Sequence, residues 1–495
     1  MDTHLPLGIG RRQLPGVTRL ERWIEPRIAA NGGRSGFRLL STGLDAFVAR
    51  GLLIELAERT LDLQYYIFHA DQTGSLVIDR LIAAADRGVH VRLLLDDWGT
   101  LEKKDDLVAT LDAHPNIEIR LFNPYRHRSG IRRLLELVIN FARVNRRMHN
   151  KQLIADNTAV VLGGRNIGDE YFGLGEVDFQ DLDVLAGGPI AQDSTKSFEG
   201  YWNSTFAIPI AELGKFATSD AKFDAARAAL HKRVQELCDS PYAQALAGSD
   251  LARDMRAHDL HLHAADAKLI ADPPDKLTRP AGTRSDTYLG SQISPYAQAA
   301  QSDMLVVSPY FVPGKDGVAF FGGKQKGGVS VRVLTNSLAA TDVWLVHAGY
   351  MKYRRPLLDA GVRLYELRPE THQRSGLIKG LVGSSRASLH GKTFVFDRTT
   401  VFVGSVNLDP RSLEQNTEVG VLVRCPELAG EVAELFERWA SPALAYEVRP
   451  TAGRNLEWVG TRNGNPVHFT DEPEAGFWRP LGARFFSHLP IDAFI

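Results

Sequence analysis

Two stretches of the sequence repeat one set of chemically active residues at one spacing. The first stretch consists of His149, Lys151, Asp156, Gly163, Gly164 and Asn166. The second consists of His390, Lys392, Asp397, Gly404, Ser405 and Asn407, each 241 residues further along the chain. A single H-x-K-x4-D pattern is weak because chance produces it in long chains. Two extended copies at the same spacing indicate a duplicated active site.

These residue types are the ones that the transfer of a phosphoryl group requires. One imidazole can attack phosphorus, while the other donates a proton to the leaving alcohol and later accepts one from the incoming alcohol. The pKa of an imidazole lies near neutrality, which suits both roles. The paired lysines and asparagines would hold the non-bridging oxygens of the phosphate. Because two ammonium groups supply the positive charge, the pattern predicts neither a metal nor a cofactor.

Apolar and β-branched residues surround each copy, so each is predicted to form a β-hairpin with its turn at 156–158 or 397–399. Residues two apart on a strand share a face, which places each histidine beside the lysine that follows it. The glycines are expected to let the returning strand approach whatever these side chains hold. Asp156 and Asp397 complete the catalytic motif, but their place at the turns favours a structural bond for each carboxylate.

The doubled pattern resembles the signature of the phospholipase D superfamily, an H-x-K-D motif in two copies. Within it the chain is similar to the bacterial cardiolipin synthases, and most of all to the C-type, which has no N-terminal membrane anchor. The segments that carry this closer similarity are 63–67, 145–151, 163–169, 334–340 and 346–350. The resemblance implies a phosphatidyltransferase that works through a phosphohistidine, with His149 favoured as the nucleophile. It also implies phosphatidylglycerol, and by extension phosphatidylethanolamine, as substrates.

The resemblance further implies a carboxylate that orients each imidazole. Glu418 stands where the family keeps such a residue. Asp181 aligns with Glu418 when Val184 is set against Val421, at the cost of a four-residue insertion, and Asp183 is the competitor for this role.

Strands alternate with helices in both halves, which predicts layered sheets flanked by helices. The helices are expected at 41–57, 75–87 and 105–113 and the strands at 61–68, 89–96 and 117–122, with counterparts about 241 residues later. This is an α/β fold of two duplicated phospholipase D-like halves, each a mixed sheet flanked by helices. The resemblance places the halves across a pseudo-twofold axis with one shared active site.

The same patterns predict five regions. They are an entry segment at 1–36, a first phospholipase D-like domain at 37–215, a helical connection at 216–285, a second such domain at 286–447 and an irregular tail at 448–495.

Composition narrows the cellular context. A net charge of −1 argues against nucleic acid as the main partner, and two cysteines give no disulfide framework. The sequence has neither an apolar run long enough to span a bilayer nor a signal peptide, so we expect a cytoplasmic protein bound peripherally to the inner membrane. The basic stretch 126–147 could contact anionic lipid or could be a solvated helix, and the aromatic tail is the other candidate contact.

Two further groups of residues have open roles. Tyr66 and Tyr310 lie near the ends of corresponding strands and fit either the mouth of the pocket or the core. His258, His261 and His263 are closely spaced, but no cysteine or acidic ligand accompanies them, so we do not predict a metal site there.

Three classes of function fit the motif to different degrees. Phosphatidyl transfer that yields cardiolipin is the leading hypothesis. Hydrolysis of the same intermediate, by a phospholipase D or another phosphodiesterase, is the alternative, because the motif does not reveal how well water is excluded. A lipid-binding module with an inactive site is disfavoured, since every paired His, Lys and Asn is present.

Overall fold

Each half of the chain forms a mixed β-sheet with helices on its faces. The computed structural model describes residues 16–100, 111–125, 141–175, 177–213, 220–238, 240–257, 259–280, 282–369, 386–453 and 455–476, and a few single residues after these. The predicted helix at 105–113 and the aromatic end of the tail fall largely or wholly outside the described residues.

Most strands follow one another in the same order in both halves. The first half contains β1 (Ser35–Leu40), β2 (Thr60–Tyr65), β3 (His90–Asp96), β4 (Ile117–Phe122), β5 (Gln152–Ala155), β6 (Ala159–Gly163), β7 (Val177–Gln180), β8 (Asp183–Gly187) and β9 (Ala207–Pro209). The second contains β10 (His263–Ala271), β11 (Asp303–Val307), β12 (Ser330–Asn336), β13 (Arg363–Leu367), β14 (Arg386–Leu389), β15 (Thr393–Phe396), β16 (Thr400–Gly404), β17 (Val419–Arg424), β18 (Ala445–Pro450), β19 (Leu456–Arg462) and β20 (Asn465–Phe469).

Helices connect and cover these strands. In the first half they are Arg19–Ala30, Gly43–Leu56, Gln72–Asp86, Asp97–Thr100, Phe141–Val144 and Pro189–Trp202. The connection carries Asp220–Cys238, Pro241–Ala247 and Asp250–Arg256. The second half has Leu289–Ala299, Gly314–Lys326, Trp344–Asp359, Pro410–Glu414 and Pro426–Trp439. Short 3₁₀ turns lie at Asp169–Tyr171, Ile210–Leu213 and Pro274–Thr278.

The spatial order of the strands displays the duplication. In the first half the order is β9-β4-β3-β2-β5-β6-β8-β1, and antiparallel pairing of β1 with β10 joins it to β10-β17-β16-β15-β11-β12-β13-β18-β19-β20. Eight strands on one side of the β1–β10 junction therefore match eight on the other in mirrored order among the described residues. The predicted two-half α/β fold is confirmed.

The parallel strands of each half are largely buried. Strands β2, β3 and β4 run parallel, as do β11, β12 and β13, and such strands bury both faces under helices. One hydrophobic cluster draws on both halves, with Phe198 and Trp202 from the first and Phe436 and Trp439 from the second. The halves share this core, so neither is packed independently of the other.

The two predicted hairpins, β5–β6 and β15–β16, are confirmed. Asp156 and Asn157 have φ of 51° and 57°, and Asp397 and Arg398 both have φ of 52°. Positive φ at two successive residues is the pattern of a type I′ turn, and the pairing of Ala155 with Ala159 and of Phe396 with Thr400 leaves three residues in each turn. Asp and Asn tolerate this conformation better than most residues, which explains their place in the motif.

The structure differs from expectation at two places outside the motifs. The connecting segment ends in β10, which carries the pairing between the two sheets, rather than being helical throughout. The tail was expected to be irregular, whereas β19 and β20 extend the second sheet beyond its repeat. Among the described residues, no helix is both long and apolar enough to cross a membrane.

Candidate active site

Backbone pairing between the halves holds both catalytic segments in place. Strand β14, which ends just before His390, runs parallel to β7 of the other half, and the amide of His390 donates to the carbonyl of Gln180 at 2.8 Å. Correspondingly, the amide of His149 donates to the carbonyl of Thr417 at 2.8 Å. Each histidine is therefore fixed to the segment that precedes a carboxylate of the opposite half.

His149 is oriented by Glu418. Its Nδ1 lies 2.9 Å from Oε2 of Glu418 and 3.1 Å from the carbonyl oxygen of Ser405. The hydroxyl of Ser405 donates to the same carboxylate oxygen at 2.5 Å. The ring of Tyr66 meets the imidazole edge-on with 5.0 Å between centroids. With Nδ1 occupied in this way, Nε2 is the nitrogen left for a substrate.

His390 is oriented by Asp181 in the same manner. Its Nδ1 lies 2.5 Å from Oδ2 of Asp181, while Phe179 stacks on the ring at 5.0 Å and Tyr171 meets it edge-on at 5.2 Å. Each histidine thus takes its carboxylate from the other half of the chain. Asp183, the competitor for this role, instead pairs with Arg50 at 2.9 Å.

The repeated small residues lie against the strands that carry the carboxylates. A Cβ atom on Gly164 would lie 2.0 Å from Oδ1 of Asp181, and one on Gly404 would lie 2.6 Å from the carbonyl oxygen of Val419. The expectation that these glycines let a strand approach the bound group stays a prediction. They make room for the neighbouring strands that bring Asp181 and Glu418 to the histidines.

Both lysines are buried beside the histidines. Nζ of Lys151 donates to the carbonyl of His149 at 2.6 Å, and Nζ of Lys392 bonds the carbonyl of His390 and lies 3.0 Å from its Nδ1. Burial lowers the pKa of Lys151 well below its ordinary value and that of Lys392 to about 8. A bound phosphate would offset this penalty, because it supplies the negative charge that the ammonium groups face.

Burial also governs the two imidazoles. It lowers the pKa of His149 well below its usual range, and the charges of Lys151 and Lys392 add to that effect. Burial and Lys392 lower the pKa of His390 to about 4, against the opposing pull of Asp181. In the free enzyme both rings are therefore neutral near pH 7.

The two carboxylates differ in their electrostatics. Burial raises the pKa of Glu418 to about 8. Burial acts in the same direction on Asp181, but the facing His390 and Lys392 lower its pKa below the ordinary value. The site is thus nearly symmetric in geometry and unsymmetric in charge.

The two asparagines have different surroundings. Asn166 accepts from the amide of Ile67 at 3.1 Å and donates to the hydroxyl of Tyr171 at 2.7 Å. Asn407 is buried, and its Oδ1 has no hydrogen-bond partner among the described residues. This oxygen is a hydrogen-bond acceptor, so it can bind a donor of a ligand but not an oxygen of the phosphate.

Asp156 and Asp397 lie at the far ends of the motif strands from the histidines. The carboxylate of Asp156 accepts from the amides of Glu58, Arg59 and Thr60 at 2.8–3.0 Å. That of Asp397 accepts from the corresponding amides of residues 301–303 at 2.7–3.1 Å. Each fixes the start of the strand that pairs with its hairpin.

Tyr66 and Tyr310 occupy different positions. Besides meeting His149, the ring of Tyr66 lies 5.5 Å from Nζ of Lys151. Within the described part of the chain, no ring contact joins Tyr310 to either histidine. The hydroxyl of Tyr310 donates to Asp342 at 2.8 Å.

Sequence reasoning missed two residues that support the histidines. Oδ2 of Asp96 accepts from the amide of Met148 at 2.9 Å, and Oδ1 of Asn336 accepts from the amide of Leu389 at 2.8 Å. Each thus holds the residue just before a catalytic histidine. Asp96 and Asn336 end the equivalent strands β3 and β12, 240 residues apart, and this matched offset was the signal available in the sequence.

The basic stretch and the histidine cluster are placed only in part. The described members of the stretch make internal bonds, with Arg143 donating to Asn123 and Pro124 and Arg147 buried against Asp96. The remaining arginines, at 126, 128, 132 and 133, lie outside the described residues, as does His258. His263 lies 2.7 Å from Glu431 and its ring meets that of His261 at 4.9 Å.

One buried and one half-buried histidine, each with a lysine and a carboxylate, on a duplicated sheet define a phosphodiester-transfer site of the phospholipase D type. Residues 52–202 and 293–440 match the family described as cardiolipin synthase, PLD-like domain. The chain belongs to this family, and it is a phospholipase D-type phosphatidyltransferase. The family and class expected from the sequence are confirmed.

Individual proteins agree with this assignment. The chain is 39% identical over 486 residues to cardiolipin synthase C of Escherichia coli (strain K12), covering 96% of this chain and 99% of that protein. It is 25% identical over 393 residues to a cardiolipin synthase of Clostridium perfringens (strain 13 / Type A), covering 77% and 66%. The crystal structure of phosphatidylserine synthase from Haemophilus influenzae Rd KW20 shares the fold, with a TM-score of 0.58 and 11% identity over 95% of this chain and 99% of that one.

The lowered pKa of Lys392 predicts the alkaline limb of the pH profile. Its ammonium form is present below about pH 8 and is lost as pH rises through that value, so kcat/KM on a soluble phosphodiester should fall above about pH 8. Lys392→Arg, whose guanidinium stays charged, should move this fall to higher pH even at a lower maximal rate. Glu418→Gln removes the other group that titrates near pH 8 and should leave the fall in place. A fall that disappears in Glu418→Gln and persists in Lys392→Arg would contradict the assignment.

Proposed function

We propose that the protein makes cardiolipin by moving a phosphatidyl group from one phospholipid to a hydroxyl group of another through a phosphohistidine. The observation that carries this proposal is the crossed pairing of His149 with Glu418 and of His390 with Asp181. Because each Nδ1 is held by a carboxylate, two Nε2 atoms remain for one phosphate between the halves. An arrangement of this kind suits in-line displacement, with nucleophile and leaving group on opposite sides of phosphorus.

The unequal carboxylates support a division of roles between the histidines. An ionised Asp181 stabilises the imidazolium form of His390, which a general acid needs. Glu418, whose pKa is raised to about 8, is largely protonated at neutral pH and offers His149 little such stabilisation. His149 therefore stays neutral and acts as the nucleophile.

The reaction has two balanced steps. The ring of His390, neutral in the free enzyme, takes up a proton at Nε2 when the negatively charged phosphodiester binds beside it. Nε2 of His149 then forms a bond to phosphorus while the bond from phosphorus to the leaving alcohol breaks, and the proton on Nε2 of His390 goes to the alcohol oxygen. The acceptor hydroxyl then gives its proton to His390 and attacks phosphorus, which breaks the P–N bond and restores His149. The ammonium groups of Lys151 and Lys392 balance the charge that grows on the non-bridging oxygens.

The resemblance of the chain favours phosphatidylglycerol as the acceptor and phosphatidylglycerol or phosphatidylethanolamine as the donor. Hydrolysis by water at the second step is the competing outcome. The aromatic rings of Tyr66, Tyr171 and Phe179 against the two imidazoles favour transfer, because they limit the space that water can occupy there.

Mass spectrometry of the lipid products tests this proposal. Purified protein on vesicles of phosphatidylglycerol, with or without phosphatidylethanolamine, should form cardiolipin in excess of phosphatidic acid and should do so in EDTA, because the lysines supply the required charge. His149→Ala and His390→Ala should each abolish product formation. Phosphatidic acid as the main product would contradict transfer, and a requirement for added divalent metal would contradict the metal-free mechanism.

Because the substrates remain in the bilayer, the site must meet a phospholipid surface, and we assign that contact to the mouth of the site. Two of the exposed large apolar side chains border it: Trp98 follows β3 with 41% of its surface exposed, and Val343 precedes the helix Trp344–Asp359 with 38% exposed. The Trp98 ring lies 5.4 Å from the guanidinium of Arg147, two residues before His149. Tryptophan is favoured at the level of lipid headgroups. The protein would thus act peripherally, on the cytoplasmic face of the inner membrane.

Removing this contact should weaken membrane binding without disturbing the chemistry. The double variant Trp98→Ala with Val343→Ser should bind phospholipid vesicles about tenfold more weakly in a sedimentation assay, because burial of large apolar side chains is lost. Its rate on a soluble phosphodiester should change much less. Tyr296→Ser is the matched control, since Tyr296 is also exposed but lines the surface beside Asp397, at the far end of the motif strand. Equal weakening by the control would contradict the assignment.

A further inference from the structure

The two halves differ at the ends of the equivalent strands β3 and β12. After β3, the acidic side chains are buried and bound to backbone amides: Asp96 accepts from Met148, and Asp97 accepts from Tyr125 at 2.7 Å. After β12, the loop carries Asp342, which is exposed. On the side of β12 the structure therefore presents an exposed carboxylate.

Asp342 is held beside the site by Tyr310. Both of its carboxylate oxygens lie 2.8 Å from the Tyr310 hydroxyl. The backbone carbonyl of Tyr310 accepts from Ser308, whose hydroxyl oxygen in turn accepts from the amide of Leu408, the residue after Asn407. The Asp342 loop is thus connected through three successive hydrogen bonds to the segment that supplies Asn407.

The charge of Asp342 also reaches the catalytic groups. Burial lowers the pKa of Lys392, and Asp342 is one of the carboxylates that act against this effect. Burial raises the pKa of Tyr171, whose ring meets His390, and Asp342 adds to that rise. The charge of Asp342 therefore acts on Lys392 and on Tyr171, the residue whose ring meets His390.

A carboxylate in this position cannot be a contact for the phosphate, because two negative charges a few ångströms apart repel. It is an acceptor only, so its partner must carry hydrogen-bond donors. The alcohol portion of a phospholipid headgroup, with its hydroxyl or ammonium groups, is the part of the substrate with this chemistry. Rings of Tyr66, Tyr171 and Tyr310 near the site would add to the attraction for a cation.

We propose that Asp342, positioned by Tyr310, forms a headgroup subsite that binds the hydroxyl or ammonium donors of the alcohol exchanged at His390. This inference rests on the proposed transferase function and names the contact that would align the alcohol oxygen with the general acid.

The test compares lipid substrates with a phosphodiester that lacks such donors. Asp342→Asn should lower cardiolipin formation about tenfold to a hundredfold, the loss expected for a hydrogen bond to a charged group. The rate of bis(p-nitrophenyl) phosphate hydrolysis should fall by a factor at least ten times smaller than the factor for cardiolipin formation. Tyr310→Phe should act in the same direction but more weakly, since it removes only the group that positions the carboxylate. Asp316→Asn is the control, because Asp316 is an exposed aspartate of the same half.

Two vesicle compositions distinguish the donors. If Asp342→Asn slows cardiolipin formation on vesicles of phosphatidylglycerol alone, the subsite binds hydroxyl groups. If it slows the reaction only when phosphatidylethanolamine is added, the subsite binds the ammonium group. The proposal is overturned if Asp342→Asn leaves both vesicle reactions unchanged, if it slows lipid and chromogenic substrates equally, or if Asp316→Asn has the same effect. If the unaltered protein forms phosphatidic acid instead of cardiolipin, the transfer proposal fails. The effect of Asp342→Asn on the rate of phosphatidic acid formation, compared with its effect on the chromogenic substrate, then tests the subsite separately.

Discussion

Two imidazoles and two lysines are removed from water at the junction between the halves, and the rest of the structure has to compensate for their burial. An isolated buried charge costs several kcal/mol, and the cost is recovered only with close partners and satisfied hydrogen bonds. Asp181 provides an ionised partner and Glu418 a hydrogen-bonding one, and both come from the half opposite to the histidine they contact. The protein therefore cannot build its site from one half alone.

This crossed arrangement explains features that look unrelated along the chain. The pairing of β7 with β14 and the bridge between Met148 and Thr417 place the carboxylates within reach of the rings. Gly164 and Gly404 let the strands that carry those carboxylates approach without a clash. The shared hydrophobic cluster holds the halves at a fixed distance, and a site that depends on hydrogen bonds of 2.5–2.9 Å needs that rigidity.

The sequence was sufficient for the parts that repeat. Paired motifs, a near-constant offset and β-branched residues around Asp156 and Asp397 predicted the duplication and the hairpins, because these depend on local pattern. It was insufficient where contacts join the halves, since nothing in the spacing of Gly164 reveals that Asp181 packs on it. Nor could the pattern foresee that β10 would join the sheets or that β19 and β20 would extend one of them, because edge pairing depends on tertiary packing. The difference in charge between Glu418 and Asp181 likewise arises from burial, which only the folded chain defines.

The central claim is that two crossed histidine–carboxylate pairs divide the work, with His149 as nucleophile and His390 as general acid. Rapid mixing with bis(p-nitrophenyl) phosphate tests it most directly, because p-nitrophenolate leaves without needing a proton. In His390→Ala we expect a burst of p-nitrophenolate equal to the enzyme concentration, with phosphorus attached to His149, and in His149→Ala we expect no burst. A burst in His149→Ala with phosphorus on His390, and none in His390→Ala, would contradict the account.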